Sequence, residues 1–278
     1  MAVEFREILD DELEVARKIL DAAYGPSLAR AGRLRRYRSL DPTTWLLALD
    51  DGEPVGLGGA IDYGTFAYIG LVGVLQDIQG RGIGRAIMDR LLALIDARGG
   101  RTSLLDASDS GAPLYRKMGF VDDDTVRLFH GEARANPTTK ARAMLREDLA
   151  AVSELDRRIG AADRSALLSA YFDEYEDRAF VVEDNGGAIS GFAFAQDSVI
   201  GPWVAESDDA AEAALDAALS CEFNGPLMIV VPGQNTAAAS MLERRGFAFT
   251  RQLVHMRLGE PVPRRRDRIY GQASMAAG

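Results

Sequence analysis

The chain of 278 residues is poor in the side chains that hold metals or cross-link strands, with one cysteine, Cys221, and two histidines, His130 and His255. No intramolecular disulfide can form, and no Cys/His set can hold zinc. Long apolar runs are also missing, both at the N-terminus (Met1-Ala2-Val3-Glu4-Phe5-Arg6) and elsewhere, so neither a secretory leader nor a membrane span is expected. Positive charge is in deficit: 32 lysines and arginines face 42 acidic side chains, a formal charge of −10 that argues against generic nucleic-acid binding and weakly favours cationic substrates. The expectation is a cytoplasmic protein, monomer or homodimer, with no nucleic-acid partner and no membrane partner. Apolar material is not lacking, at 47% of residues, and the length suggests two domains of roughly 100 to 150 residues each.

What stands out against that background is Gln79-Gly80-Arg81-Gly82-Ile83-Gly84, where an apolar run, Tyr68 to Leu75, gives way to a strongly periodic segment. Ile83, Ile87, Leu91, Leu94 and Ile95 recur at three- and four-residue spacing, which predicts a helix starting near Gly82 and stopped by Gly99-Gly100. A strand feeding a glycine turn and a helix N-terminus presents unpaired amides and the positive end of the helix dipole, and glycine leaves them open to a phosphate. The spacing excludes two kinds of phosphate loop. A Walker loop needs Lys-Ser/Thr after its last glycine, where this chain has Arg85-Ala86. A dinucleotide turn needs Gly or Ala at position 85 or 87, and these are Arg85 and Ile87. A Gln/Arg-x-x-Gly-x-Gly/Ala pattern remains, met by Gln79, Gly82 and Gly84; the alternative is a glycine-rich turn with no ligand.

Downstream, a short apolar strand (Thr102 to Leu105) and Asp106 precede Gly111-Ala112-Pro113-Leu114-Tyr115-Arg116-Lys117-Met118-Gly119-Phe120. In this order the two motifs resemble the GCN5-related N-acetyltransferase (GNAT) superfamily: the first its pyrophosphate loop, the second its Leu-Tyr-x-x-x-Gly-Phe ending, matched by Leu114, Tyr115, Gly119 and Phe120. The resemblance implies acetyl-CoA (coenzyme A) as cofactor. It would be held by Leu71, Val72, Gly73, Val74 and Leu75 on a splayed strand and by Gln79, Gly80, Arg81, Gly82, Ile83, Gly84 and Arg85 in the loop, with Tyr115 as the general acid for the departing thiolate. Val74 and Leu75 are the candidates for amides left free for the thioester carbonyl. An acceptor amine with a pKa near ~10 must shed a proton. Asp62, beside Tyr63, and Asp106, at the end of a strand, are the candidate bases, and each also reads as a solvated turn residue. Tyr24, Ser27 and Tyr63 are the candidate contacts to the acceptor. The implied activity is acetyl transfer to a primary amine of a small molecule by direct attack on the thioester. A protein or peptide amine is the alternative acceptor. A non-catalytic acyl-CoA sensor is a third reading, against which the retained Tyr115 counts.

A polar, turn-rich segment, Gly131-Glu132-Ala133-Arg134-Ala135-Asn136-Pro137-Thr138-Thr139, divides the chain, and the second half echoes the first. Ala179 to Glu183 and Gly191 to Ala195 around Asn185-Gly186-Gly187 parallel Trp45 to Leu49 and Val55 to Ala60 around Asp50-Asp51-Gly52. Leu227 to Val231 reads as an apolar strand, and Met241-Leu242-Glu243-Arg244-Arg245-Gly246-Phe247 echoes Leu114 to Phe120. The second copy has Leu242 in place of Tyr115, and Glu206-Ser207-Asp208-Asp209 where glycines would admit a phosphate that these carboxylates repel. Ile159-Gly160-Ala161-Ala162-Asp163-Arg164, Ile200-Gly201-Pro202 and Arg268-Ile269-Tyr270-Gly271 resemble the C-terminal domain of bacterial two-domain members of the superfamily. The implied fold is mixed α/β (α+β): two tandem GNAT folds, each a central, mostly antiparallel twisted sheet flanked by helices, with a splayed strand pair at the cofactor site. The implied division is a catalytic domain over 1–131, a linker over 132–139 and a degenerate domain over 140–278, which either walls the acceptor cleft or only stabilises its partner. Arg30, Arg33, Arg35, Arg36 and Arg38 read as a solvated helix face, and Arg264-Arg265-Arg266 with Arg268 as a surface strand or salt-bridge partners.

Overall fold

The computed structural model describes residues 3–26, 29–100, 102–134 and 140–278. They fall into two compact units, Met1–Leu105 and Asp106–Gly278. The linker residues Ala135–Thr139 lie outside the described residues.

The first unit holds β1 (Glu4–Glu7), α1 (Leu13–Tyr24), α2 (Ala29–Leu40), β2 (Trp45–Asp50), β3 (Glu53–Asp62), β4 (Ala67–Val74), α3 (Ile83–Ala97) and most of β5 (Thr102–Ala107). Strands β1 to β4 form an antiparallel meander in chain order. The β2–β3 hairpin turns on Asp51 and Gly52, both at positive φ (52° and 83°), as a two-residue Asp-Gly loop demands. Strand β5 runs parallel to β4 but, among the described residues, is paired with it only at Ala67–Ser103 and Tyr68–Leu104, so the two strands part along the rest of β4. A bulge in the same strand reinforces the parting: Leu71 and Val72 together face the single residue Gly58, and Leu71 stands at φ 53°.

Helix α3 buries Ile83, Ile87, Leu91 and Ile95 of the predicted stripe and Met88 besides, while Leu94 is half-buried, at about 1.5–3 kcal/mol for each fully buried aliphatic side chain. Its depth on the sheet is set by Gly58, where an added Cβ would lie 2.7 Å from Ile87 Cγ2 and 3.3 Å from Leu91 Cδ1. The start of α3, and with it the glycine loop, is therefore fixed by packing against β3.

The second unit contains α4 (Ala112–Lys117), β6 (Val121–Gly131), β7 (Ala141–Ala143), α5 (Leu149–Gly160), α6 (Ser165–Tyr175), β8 (Ala179–Glu183), β9 (Ile189–Ala195), β10 (Ile200–Ala205), α7 (Asp208–Leu219), β11 (Leu227–Pro232), α8 (Thr236–Arg244), β12 (Ala248–Gly259) and β13 (Ile269–Gly271). One sheet runs β13-β10-β9-β8-β7, and β6 pairs antiparallel with β11 on one side and β12 on the other. A core of Trp203, Leu215, Ile229, Leu242, Phe247 and Tyr270 lies under α7 and α8. Strand β6 comes directly after the tyrosine helix in the first half of the chain, yet it is laddered along its length to β11 and β12 of the second half. Repeats in the sequence and compact units in space thus divide the chain at different places.

Candidate active site

In the first unit the predicted loop opens a helix whose N-terminus has no side-chain cap. Gly82, at φ 85°, is the N-cap of α3, and the first i→i−4 bond is Ala86 N to Gly82 O at 3.0 Å. The amides of Ile83, Gly84 and Arg85 thus precede the helical ladder. Positive φ at Gly80 (80°) and Gly82 disfavours any other residue, and a Cβ on either would meet nothing within 4 Å. Uncapped backbone amides in front of a helix dipole are what a pyrophosphate needs, so the residues present fit coenzyme A. The arginines of the loop reach outward, Arg81 to Asp50 at 3.2 Å and Arg85 to Asp89 at 3.5 Å.

The strand leading into the loop separates its two oxyanion candidates. Leu75 N donates to Val55 O at 3.0 Å, so the expectation of a free amide at Leu75 is corrected. In an antiparallel ladder successive residues face opposite sides, which turns the amide of Val74 away from β3, toward the side where β4 leaves β5. Its carbonyl on that side accepts from Gln79 Nε2 at 3.0 Å, so Gln79 ties the loop to the strand. Gly73 lets α1 approach: a Cβ there would lie 3.2 Å from both Ala23 Cβ and Leu20 Cδ2.

The acceptor candidates of this unit are scattered. Tyr24 is half exposed and its hydroxyl donates to the carbonyl of Val72, at the bulge. Ser27 lies outside the described residues. Tyr63 is buried edge-to-face against Phe66, ring centroids 5.5 Å apart. Asp62 is exposed and its Oδ1 accepts from the Gly64 amide at 2.8 Å, closing a local turn. Of the arginines on α2, Arg30 pairs with Asp21 and Arg38 with Asp10.

In the second unit, Tyr115 sits on α4, half-buried against Phe120 with ring centroids 5.9 Å apart. The helix closes by a glycine cap: Phe120 N donates to Tyr115 O at 3.0 Å and Gly119 N to Arg116 O at 3.1 Å, with Gly119 at φ 93°. Helix α8 ends the same way, Phe247 N to Leu242 O at 3.0 Å and Gly246 N to Glu243 O at 3.0 Å. Much of the shared Gly-Phe ending is therefore capping chemistry. The two helices differ in the side chain at the matching position: a half-buried phenol at 115, a fully buried leucine at 242.

Asp106 ends β5 in a buried network. Its Oδ1 lies 2.7 Å from His255 Nδ1 and its Oδ2 accepts from Gln272 Nε2 at 2.9 Å. Burial raises the carboxyl's pKa, but the His255 contact, the charge of Arg266 and the Gln272 bond outweigh it, and the group stays below the usual carboxylate range. Burial pushes His255 below its ordinary value, and Arg266 and Arg264 add to that push, against the opposing pull of Asp106. A neutral imidazole beside an ionised carboxylate donates through Nδ1 and keeps Nε2 as its basic nitrogen. Sequence reasoning used His255 only to exclude zinc. The available signal was its place two residues after Leu253 on the buried face of β12, where a polar side chain needs a partner. Arg266 departs from the surface-strand reading: it lies in a short 3-10 turn, 3% exposed, with Nε donating to Asp124 Oδ2 at 2.8 Å.

The second repeat has no counterpart of the open loop. Helix α7 is capped by Ser207, whose side chain accepts from Ala210 N at 3.2 Å, and Asp208 in its first turn accepts from the Tyr270 hydroxyl. Val199, just before β10, forms an isolated parallel bridge with Met228 of β11, and the strands then part as β4 and β5 do, but here the gap is filled. Strand β13 pairs with β10, and the next residue, Gln272, donates its amide to Val230 O of β11 at 2.8 Å. The fit is tight enough that a Cβ on Gly201 would lie 2.1 Å from Gln272 O.

Comparison with known proteins agrees with both halves. A family model described as an acetyltransferase (GNAT) family matches residues 4–120, and a second, described as an acetyltransferase (GNAT) domain, matches 152–271. The chain is 25% identical over 236 residues to YitH of Bacillus subtilis (strain 168), an N-acetyltransferase itself uncharacterized, covering 82% of each protein. It is 35% identical over 100 residues to the chloroplastic serotonin N-acetyltransferase 2 of Oryza sativa subsp. japonica, a match to 34% of this chain and 50% of the relative. Among solved structures, a candidate acetyltransferase of Pyrococcus horikoshii superposes with TM-score 0.87 at 29% identity, covering 99% of this chain and 96% of the other. A GCN5-related N-acetyltransferase of Sphaerobacter thermophilus shares the fold, with TM-score 0.70 at 15% identity over 94% of this chain and 97% of the other. Matched by GNAT models in both of its halves, the chain belongs to the GCN5-related N-acetyltransferase superfamily as a tandem, two-domain acyltransferase.

Proposed function

We propose that the protein transfers the acetyl group of acetyl-CoA to a primary amine of a small molecule. The observation that carries this reading is the uncapped N-terminus of α3 behind Gly80 and Gly82. Bound acetyl-CoA supplies the acetyl group as a thioester, whose C–S bond breaks as the amine nitrogen forms the new C–N bond. The amides of Ile83, Gly84 and Arg85 hold the pyrophosphate, and Val74 N–H, turned toward the parting of β4 and β5, is the donor for the carbonyl oxygen. Tyr115 gives its phenolic proton to the leaving sulfur. Of the two candidate bases for the amine proton, Asp106 is ionised and held by His255 and Gln272. Asp62, engaged in its own turn, is the weaker candidate.

The sequence repeats, 1–131 as catalytic domain and 140–278 as its cofactor-free copy joined through 132–139, are part of this proposal, as is a cytoplasmic place of action. Among the described residues no helix is long and apolar enough to cross a membrane. A panel of amines, with acetyl-CoA and detection of free thiol, tests the reading. It predicts acceptor-dependent thiol release with small amines; release with peptide amines alone would move the substrate to the protein class, and no release with any amine would reject the activity.

A further inference from the structure

On the open edge of β4, side chains cover the backbone acceptors on either side of the Val74 amide. Register pairs Gly73 with Leu57, and Leu75 N donates to Val55 O, so the ladder to β3 runs through residues 73 and 75, and the N–H and C=O of Val72 and Val74 turn the other way. Both of those carbonyls are taken: Val72 O accepts from the Tyr24 hydroxyl and Val74 O from Gln79 Nε2 at 3.0 Å. Each cap is itself held. The Tyr24 ring lies over Gly73, where an added Cβ would be 3.7 Å from its Cε2, and beside the guanidinium of Arg30 at 5.9 Å, which Asp21 and the Gly25 carbonyl anchor. Gln79 closes the short 3-10 turn over Gln76–Ile78, its amide donating to Gln76 O at 3.2 Å. The peptide that carries the Val74 N–H thus stands between two peptides bonded at both ends, 72–73 by Leu57 and Tyr24, and 74–75 by Val55 and Gln79. An uncapped carbonyl on this edge would turn lone pairs toward any ligand oxygen beside it; with the carbonyls capped, the edge offers a fixed donor to an oxygen on which negative charge builds.

We propose that Tyr24 and Gln79 are positioning residues for acetyl transfer: they cap the carbonyls flanking the Val74 amide and so aim that amide at the acyl carbonyl oxygen. This rests on the reading of acetyl-CoA as the acyl donor. It assigns Tyr24 to the geometry of the thioester and not to contact with the acceptor, and it gives Gln79 a task in the chemistry besides its place in the phosphate loop.

Isotope-edited infrared spectroscopy of acetyl-CoA labelled with carbon-13 at the acyl carbonyl, with protein in excess, reads the hydrogen bond to that oxygen whatever the affinity. The carbonyl band should lie lower in the unaltered protein than in Tyr24→Phe or Gln79→Met, each of which keeps the bulk of the side chain and loses the donor. Single-turnover thiol release with the best amine of the panel should fall about 10- to 100-fold in the same variants. Affinity of Tyr24→Phe for coenzyme A, which has no acyl carbonyl, should be unchanged. Gln79→Arg, which puts N–H donors back at that position, should return the band and the rate toward those of the unaltered protein. A band that moves in neither variant overturns the inference even where the rate falls, because a loosened helix or loop slows the reaction without changing the bond to the carbonyl. If the unaltered protein still binds and transfers the acetyl group, that result leaves the acetyltransferase reading in place; no binding of acetyl-CoA by the unaltered protein overturns both.

Discussion

Tyr115 carries the clearest single-residue prediction, because its ring packs on Phe120 while its hydroxyl is the group assigned to the chemistry. Tyr115→Phe keeps the ring and the glycine cap, so acetyl-CoA affinity should persist while turnover falls about 10- to 1000-fold. Turnover equal to the unaltered protein, with chemistry limiting, would mean that water or another group protonates the thiolate. His255 gives a prediction in pH. Its pKa in the folded chain is lowered by burial and by Arg266 and Arg264, with Asp106 opposing, so as pH falls the unfolded chain is protonated first, near ~6.5. Stability is therefore complete above that pH and is lost below it. Asp106 acts in the same direction at lower pH: its depressed pKa stabilises the fold above ~3.9, an effect lost only in stronger acid. Urea unfolding at pH 7.5 and 5.5 should show a larger loss for the unaltered protein than for His255→Gln. Equal losses would show that the imidazole is not held neutral by its surroundings.

The glycine loop, α3 and its supporting strand act as one element. Gly82→Val forces a β-branched residue into φ 85°, which costs roughly 1–2 kcal/mol, and puts methyl groups where the pyrophosphate approaches. Acetyl-CoA affinity should drop at least about 10-fold in a chain that still folds, since each charge-assisted bond lost is worth ~1.5–3 kcal/mol. Undiminished binding would take the loop out of the site. Gly58→Val acts from behind: its side chain would collide with Ile87 and Leu91, so we expect a destabilisation of about 1–3 kcal/mol and weaker cofactor binding through a displaced α3, both read from denaturation and calorimetry. Elements with a local signal were legible in the sequence. The helix over Ile83–Ala97, the Asp-Gly hairpin and the two Gly-Phe helix ends follow from periodicity, turn chemistry and capping. The Asp106–His255–Gln272 cluster was not, because its members stand 149 and 166 residues apart from Asp106 and only tertiary contact joins them. Leu75 shows the limit on the finest scale: strand and composition were readable, but which amide the ladder consumes depends on register.

On the scale of the whole molecule, two copies of one fold have been used differently. In the first unit β4 and β5 part and leave α3 uncapped; in the second, the parting of β10 and β11 is filled by β13 and Gln272, and α7 is capped by Ser207. The carboxylates in Glu206–Asp209 read in the sequence as unfavourable to a phosphate, whereas the chain's own strand in the gap was not legible, since Ile269–Gly271 is too short to declare itself by pattern. Filling the gap with chain gives a physical reason to expect that the second repeat binds no cofactor. Calorimetric titration of acetyl-CoA into the full chain tests this directly. One molecule should bind per chain, and Gly82→Val should weaken that binding in a folded protein; a stoichiometry of two, or binding that survives the substitution unchanged, would contradict a single cofactor site built on the first repeat.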